Sequence, residues 1–151
     1  MRKATICLIV VLLSGVKFTM AQNNNAPVLN HIAVYVNNLQ ASTGFYQNII
    51  GLDTIAEPFK DGRHTWFSIG KAGQLHLISG APKAMEQIKD RHLCFSVHSI
   101  EAFIKNLEKN RILYTNWPGD AKTPTVRPDG VKQIYFQDPD GYWIEINNDK
   151  Q

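Results

Sequence analysis

The sequence predicts an α+β domain in which the order strand–helix–strand–strand–strand occurs twice. Short segments rich in β-branched and aromatic residues alternate with turns that contain Gly, Asp or Pro, and one helical segment follows the first strand of each half. Residues 28–80 and 91–147 share this order, which is a weak internal duplication. Two such modules, when paired, are expected to form a curved mixed sheet with the helices on its outer face.

The first module begins with a strand at residues 30–36, in which apolar residues occupy every second position. A helix is expected next, because Asn38 is a favoured N-terminal cap and Gly51 is a favoured residue just past a helix end. Three more strands are expected at residues 52–56, 65–69 and 74–78.

The second module repeats this pattern from residue 91 onward. Asp138-Pro139-Asp140-Gly141 has Pro in the second and Gly in the fourth position, which is typical of a type I turn between two strands. The expected elements are a strand at residues 91–97, a helix at 99–110, and strands at 112–115, 131–137 and 142–146.

Residues 1–21 have the layout of a secretory signal peptide. Arg2 and Lys3 give a basic start, residues 4–16 are apolar, and Ala21 is a small residue at the expected cleavage position. The apolar run is shorter than the roughly 20 residues that a transmembrane helix needs. We therefore expect export to the periplasm or the medium, with no stable membrane insertion after cleavage.

Cleavage leaves a flexible lead-in at residues 22–27 and one domain at residues 28–147. The whole chain has 16 basic and 13 acidic residues, but the signal peptide contains three of the basic ones and no acidic one. The mature chain is therefore balanced in charge and has no basic stripe, so we expect no nucleic-acid partner. Its one cysteine, Cys94, cannot form an internal disulfide, and core packing must stabilise the domain.

Four side chains with metal-binding chemistry lie on strand faces that point away from the apolar core. Three imidazoles and one carboxylate suit a divalent transition metal such as Zn, Ni, Fe, Co or Mn. The alternative is that each histidine is an ordinary polar residue whose hydrogen bonds are satisfied. The candidate ligands are His31, His76, His92 and Glu145.

Several segments resemble, in order, the signatures of the vicinal oxygen chelate superfamily, which includes glyoxalase I, bleomycin resistance proteins, extradiol dioxygenases and fosfomycin-resistance transferases. The resemblance covers residues 28–147 and implies an open barrel-like cleft around a metal. Pairing of two chains is common in the family, so the resemblance also implies that a homodimer is to be considered. The matching segments are residues 29–52, 74–78, 92–97 and 136–146.

The resemblance implies a metal-dependent isomerase or lyase that acts on a small oxygen-chelating substrate, with Glu145 as both ligand and base. Glyoxalase I takes its four ligands from the positions of His31, His76, His92 and Glu145, but it has a glutamate where this chain has His76. The second carboxylate that moves a proton in that enzyme is therefore missing here. The alternatives are an Fe(II) extradiol dioxygenase, fosfomycin thiol transfer, and a resistance protein that binds a small molecule without catalysis.

Other residues are weaker candidates. Tyr35 and Trp143 share strand faces with the metal ligands and are expected to line a substrate pocket. Arg127 lies in a loop where it either contacts a substrate anion or is solvated. His64 is interpreted as a surface residue or a pocket wall. Cys94 shares the strand face of His92, but the sequence suggests no base for it, so nucleophilic catalysis is not expected.

Overall fold

The computed structural model describes residues 26–83 and 86–150 of the 151-residue chain. The expected signal peptide, residues 1–21, lies outside the described residues. Neither helix described in residues 26–83 and 86–150 has the length and hydropathy that a membrane-spanning segment needs.

The first module contains a four-stranded mixed sheet. Its order is β1-β4-β3-β2, with β1 and β4 parallel and the other pairs antiparallel. The elements are β1 (His31–Val36), α1 (Leu39–Phe45), a π-helical turn (Tyr46–Ile50), β2 (Thr54–Ile55), β3 (His64–Ser68), a 3-10 turn (Gly70–Ala72) and β4 (Gln74–Ser79).

The second module has the same internal order, β5-β8-β7-β6, with β5 and β8 parallel. The prediction of two βαβββ modules is therefore confirmed. Among the described residues no strand ladder joins the two sheets, so they form no closed barrel. The elements are β5 (His92–Ser96), α2 (Ile100–Lys109), β6 (Thr125–Val126), β7 (Lys132–Gln137) and β8 (Trp143–Asn147).

The first helix begins at the predicted cap, Asn38, and the second is capped by Ser99, the residue at which the second helix was expected to begin. Asn38 Oδ1 accepts a hydrogen bond from Ala41 N–H, and Ser99 Oγ accepts one from Ala102 N–H, each at 3.1 Å. The first helix changes from α to π geometry at Tyr46 and ends, as predicted, at Gly51 in the left-handed region, with φ of 86°.

The prediction of a strand at residues 112–115 is wrong. In this segment Thr115 alone pairs with a strand, through a bridge to Tyr135, and the fourth strand of the sheet is β6. The apolar pattern of the segment reflects packing: Tyr114 is buried and Ile112 packs against the core. The chain then turns away because the Asn116 side chain accepts hydrogen bonds from three successive backbone N–H groups, at residues 119–121.

One hydrophobic core joins the two modules. The buried faces of both sheets contribute Val34, Val36, Leu75, Leu77, Ile134, Phe136, Ile144 and Ile146. Because side chains alternate along a strand, the polar residues of β1, β5 and β8 are directed away from this core.

The turn after β7 attaches the second module to α1 of the first. Asp140 accepts hydrogen bonds of 2.6 Å from Asn37 N–H and from the buried Ser42 hydroxyl. Tyr142 hydroxyl donates to Tyr35 O at 3.1 Å. This turn is therefore a structural joint between the halves, which its turn motif alone does not reveal.

Candidate metal centre

Glu145, on β8, is the best-connected polar side chain of the candidate site. It is 6% exposed, and its Oε2 accepts a 2.6 Å hydrogen bond from Tyr135 hydroxyl. Its Oε1 accepts hydrogen bonds from Cys94 Sγ at 3.3 Å and Asn147 Nδ2 at 3.0 Å. His92 Nε2 lies 3.2 Å from Oε2. The carboxylate is thus held in one orientation by neighbours on three strands.

These contacts keep Glu145 ionised. Desolvation by burial opposes the charged form, but hydrogen bonds from Tyr135, Asn147 and Cys94 and attraction to His92 together lower the pKa of the carboxyl below its ordinary value. An ionised carboxylate is the form that binds a metal or accepts a proton.

The pairing of His92 with Glu145 calls for a positive charge between them. His92 Nδ1 lies 2.7 Å from Lys89 O, which can only accept, so Nδ1 carries the proton. Nε2 then either carries a second proton or directs a lone pair at the carboxylate oxygen 3.2 Å away. Two lone pairs at that distance repel unless a cation lies between them. The pair therefore fits either an imidazolium ion or a bound metal.

His31 and His76 form a second pair, on the sheet of the first module. Their ring centres are 5.0 Å apart, and His31 Nδ1 lies 2.8 Å from Asn30 Oδ1. His76 is 7% exposed, packs edge-on against Trp66 at 4.1 Å, and neither of its ring nitrogens has a hydrogen-bond partner among the described residues. Burial lowers the pKa of His76, and the nearby His31 and His64 lower it further, which favours the neutral imidazole that binds metals.

The structure brings the four predicted ligands together as two pairs and not as one set. Among the described residues, one group of three or more metal-binding side chains has all of its ligand atoms within 4.8 Å of one another, and it contains none of the four. The four-ligand site therefore stays a prediction.

That group consists of Glu57, Asp61 and His64, at the hairpin that joins β2 to β3. The sequence alone indicates His64 as a surface residue or a pocket wall and gives no signal for Glu57 or Asp61. The strand register places His64 near His76. Trp66 pairs with His76 across β3 and β4, so His64, two residues before Trp66, lies diagonally opposite His76 on the same sheet face.

Lys89 is a further residue that the sequence did not indicate. Its ammonium lies 4.7, 5.5 and 5.9 Å from the ring centres of Trp143, Tyr135 and Trp117, and it donates to Trp117 O at 2.9 Å. Cation–π attraction therefore holds the Lys89 ammonium near His92 and Glu145. The backbone carbonyl of Lys89 also accepts the hydrogen bond from His92 Nδ1.

The remaining predicted residues differ in their surroundings. Tyr35 is 41% exposed beside the joint between the modules, and the indole N–H of Trp143 donates to Gln87 O at 3.0 Å. Arg127 forms ion pairs with Asp129 and Asp149, which compete with any substrate anion. Burial, followed by the charge of Glu145, raises the pKa of Cys94 to about 12, so its thiol is protonated and a poor nucleophile.

Comparison with known proteins places this architecture in a family. The family described as the Glyoxalase/Bleomycin resistance protein/Dioxygenase superfamily matches residues 28–146. A crystal structure of a glyoxalase/dioxygenase from Nostoc punctiforme is similar with a TM-score of 0.67 and 22% identity, over 97% of this chain and 100% of that one. The chain therefore belongs to this superfamily, as its sequence motifs predicted.

Two proteins of named organisms show similar sequences. Uncharacterized protein YaeR from Escherichia coli (strain K12) is 30% identical over 129 residues, which cover 78% of this chain and 93% of that protein. Glyoxylase I 4 from Arabidopsis thaliana is 29% identical over 128 residues, which cover 80% of this chain and 70% of that protein.

Proposed function

We propose that the protein is a divalent-metal-dependent enzyme of the glyoxalase I type, with isomerase or lyase chemistry on a small substrate that has neighbouring oxygen atoms. The observation that carries this proposal is the contact between His92 Nε2 and Glu145 Oε2 at 3.2 Å, which places an imidazole nitrogen and a carboxylate oxygen where a bound cation would join them. The metal ligands would be His31, His76, His92 and Glu145. When bound, the metal supplies Lewis-acid polarisation of the substrate oxygens.

Glu145 is the base in this proposal. It is the one carboxylate of the ligand set, and three hydrogen-bond donors hold it in the ionised state and in a fixed orientation. His76 is neutral and cannot act as the second carboxylate of glyoxalase I. The proton therefore leaves and returns through Glu145, or its return uses a different group.

We propose further that two copies of the chain complete each site. One chain presents the His31–His76 pair and the His92–Glu145 pair without a shared set of ligand atoms within 4.8 Å. In a homodimer, the His31–His76 pair of one copy would face the His92–Glu145 pair of the other. The two-fold symmetry then makes two equivalent sites. Exposed apolar residues near β1, namely Val28 and Leu29 at 86% and 59% exposure, offer surface for such an interface.

Export is a separate proposal, supported by the signal-peptide layout of residues 1–21. It implies that the substrate is met outside the cytoplasm, in the periplasm or the medium. Mass spectrometry of the amino terminus of the protein recovered from each cell fraction tests it. A chain that starts at Gln22 outside the cytoplasm supports export, and an intact cytoplasmic chain contradicts it.

The direct test of the enzyme proposal is the metal content of residues 22–151, a chain that includes every helix and strand described in residues 26–83 and 86–150 and the whole family match. We expect about one equivalent of a transition metal per chain in this ligand set, lost in His92→Gln and Glu145→Gln. His98→Gln and Glu86→Gln change exposed residues of the same types and should retain it.

The identity of the metal separates the candidate activities. Zinc or nickel directs substrate screening toward isomerase chemistry, whereas iron bound by His31, His92 and Glu145 favours ring-opening dioxygenation. No metal in this ligand set, even after reconstitution, contradicts the enzyme proposal and leaves small-molecule binding without catalysis.

A further inference from the structure

We propose a second cation site at the β2–β3 hairpin, formed by Glu57, Asp61 and His64. Each of these residues offers one ligand atom, and the three atoms lie within 4.8 Å of one another. Two carboxylates with one imidazole suit a divalent transition metal such as Zn²⁺, Mn²⁺ or Co²⁺. The three residues lie within one chain, and none of them belongs to the ligand pairs of the proposed function.

Local hydrogen bonds hold the three side chains in place. Asp61 Oδ1 accepts from Arg63 N–H at 2.9 Å and lies 2.9 Å from His64 Nδ1. Glu57 Oε2 accepts from Phe59 N–H at 2.8 Å. The contact with the Asp61 carboxylate fixes the tautomer and the ring of His64 with the proton on Nδ1, which leaves Nε2 for a cation.

The buried His76, which the proposed function places beside His31, is a second indication of a ligand at this corner of the sheet. Its ring centre is 5.8 Å from that of His64, on the same sheet face. It is 7% exposed, and among the described residues neither ring nitrogen has a partner. Buried polar atoms are almost always satisfied, by protein, by water or by an ion. A neutral imidazole has one nitrogen that binds a cation and one N–H that donates, so a His76 nitrogen that binds beside His31 leaves an N–H for the hairpin carboxylates.

The charges of the cluster also favour a cation. Glu57 and Asp61 supply two carboxylates, and the Asp61 carboxylate also accepts the hydrogen bond from Arg63 N–H. The His64 side chain is 13% exposed, so the imidazole edge of the cluster is shielded from water while the Asp61 side, 40% exposed, is open for an ion to enter. This combination gives an accessible but partly desolvated site.

Cobalt binding tests the proposal on residues 22–151. The chelator-stripped protein is titrated with Co²⁺, and bound metal is counted by mass spectrometry while the visible absorption of Co²⁺ reports nitrogen and oxygen ligation. Asp61→Asn and His64→Gln are each expected to weaken one class of site by about 10–100-fold. Asp61→Asn keeps an acceptor for Arg63 N–H, so the hairpin retains its turn. Asp53→Asn, at an exposed position before β2, and His98→Gln are the matched controls.

The outcomes separate this site from that of the proposed function. The hairpin site is supported if Asp61→Asn and His64→Gln each lose a cobalt site that His92→Gln retains. This holds even if no metal binds to the four-ligand site. Unchanged cobalt binding in Asp61→Asn, His64→Gln and Glu57→Gln overturns it, whatever His92→Gln shows. Thermal unfolding of each variant confirms that the chain is folded, and Glu57→Gln replaces any variant that is not.

Discussion

Tyr46 hydroxyl donates a 2.8 Å hydrogen bond to Asp138 Oδ2 and so joins the first helical segment to the turn after β7. Both residues are buried, and Asp138 Oδ1 also accepts from the backbone N–H groups of Asp140 and Tyr142 at 2.9 Å. Despite these bonds, desolvation by burial raises the pKa of Asp138 from 3.8 to about 6. The joint between the modules therefore contains a titratable group in the mildly acidic range.

Asp138 makes the stability of the fold depend on pH. Because its folded pKa of about 6 lies above the ordinary value of 3.8, the native state binds this proton more tightly than the unfolded chain. Its contribution to the free energy of unfolding is complete below pH 3.8 and falls as the pH rises through about 6. The expected fall is about 3 kcal/mol.

Urea unfolding of the wild type and of Asp138→Asn at several pH values measures this effect. The free energy of unfolding of the wild type minus that of Asp138→Asn should decrease as the pH rises from about 4 to about 6.5. Asp53→Asn, at an exposed position, should track the wild type. A wild-type to Asp138→Asn difference that stays constant with pH would contradict the prediction.

Ser42→Ala should destabilise the same joint. Ser42 is fully buried, and its hydroxyl donates to Asp140 Oδ2 at 2.6 Å, so the variant leaves a buried carboxylate oxygen without that donor. The expected loss is about 1–3 kcal/mol in the free energy of unfolding, read from denaturant titration. Ser68→Ala removes an exposed hydroxyl and should change stability by less than about 0.5 kcal/mol. Equal effects of the two variants would contradict this account.

Arg111→Gly should stabilise the protein. Arg111 follows α2 with φ of 57°, and the hydrogen bonds from Arg111 N–H to Glu108 O and from Ile112 N–H to Leu107 O form a Schellman motif. Glycine adopts this conformation without the penalty that other residues incur. We expect a gain of roughly 0.5–1 kcal/mol in thermal or denaturant unfolding. Arg111→Ala is the control, since it retains Cβ and should give no gain.

Mixing two variants that each lack one ligand of the four-ligand site tests whether two copies of the chain share that site. His31→Gln disables one pair and Glu145→Gln the other. If sites form between chains, a heterodimer of the two variants retains one intact site and regains metal. If each site lies within one chain, the mixture binds no more four-ligand metal than its components. Metal analysis after joint refolding distinguishes the two, with each variant refolded alone as the control.

Tyr135→Phe should weaken metal binding at the Glu145 pair without unfolding the protein. The variant removes the 2.6 Å hydrogen bond to Glu145 Oε2, one of the contacts that keep the carboxyl ionised and oriented. The loss of an outer contact of this kind is expected to lower metal affinity about 10–100-fold. Tyr114→Phe loses a hydroxyl whose partners, Glu108 and Lys122 O, lie away from the site, and should keep full affinity. Equal affinities of wild type and Tyr135→Phe would show that the hydroxyl has no role.

Local features of the fold were predictable from the sequence because their causes are local. Asn38 and Ser99 cap helices through N–H groups three residues away, and Gly51 ends the first helical segment through its own φ. Strand faces followed from alternation, which directs His92 and Glu145 away from the core side of the second sheet. The strand expected at residues 112–115 failed because its apolar residues pack on the core without a partner strand.

The sequence by itself determined the family, the two-module order and the four strand positions that carry candidate ligands. The tertiary structure alone decided which side chains meet: His92 with Glu145, His76 with His31 and His64, and Asp138 with Tyr46. Periodicity specifies the face of a strand, but the register between strands and the path of each loop decide which faces share a corner. Those are set by packing between residues up to about a hundred positions apart, as in the 98 that separate Ser42 from Asp140.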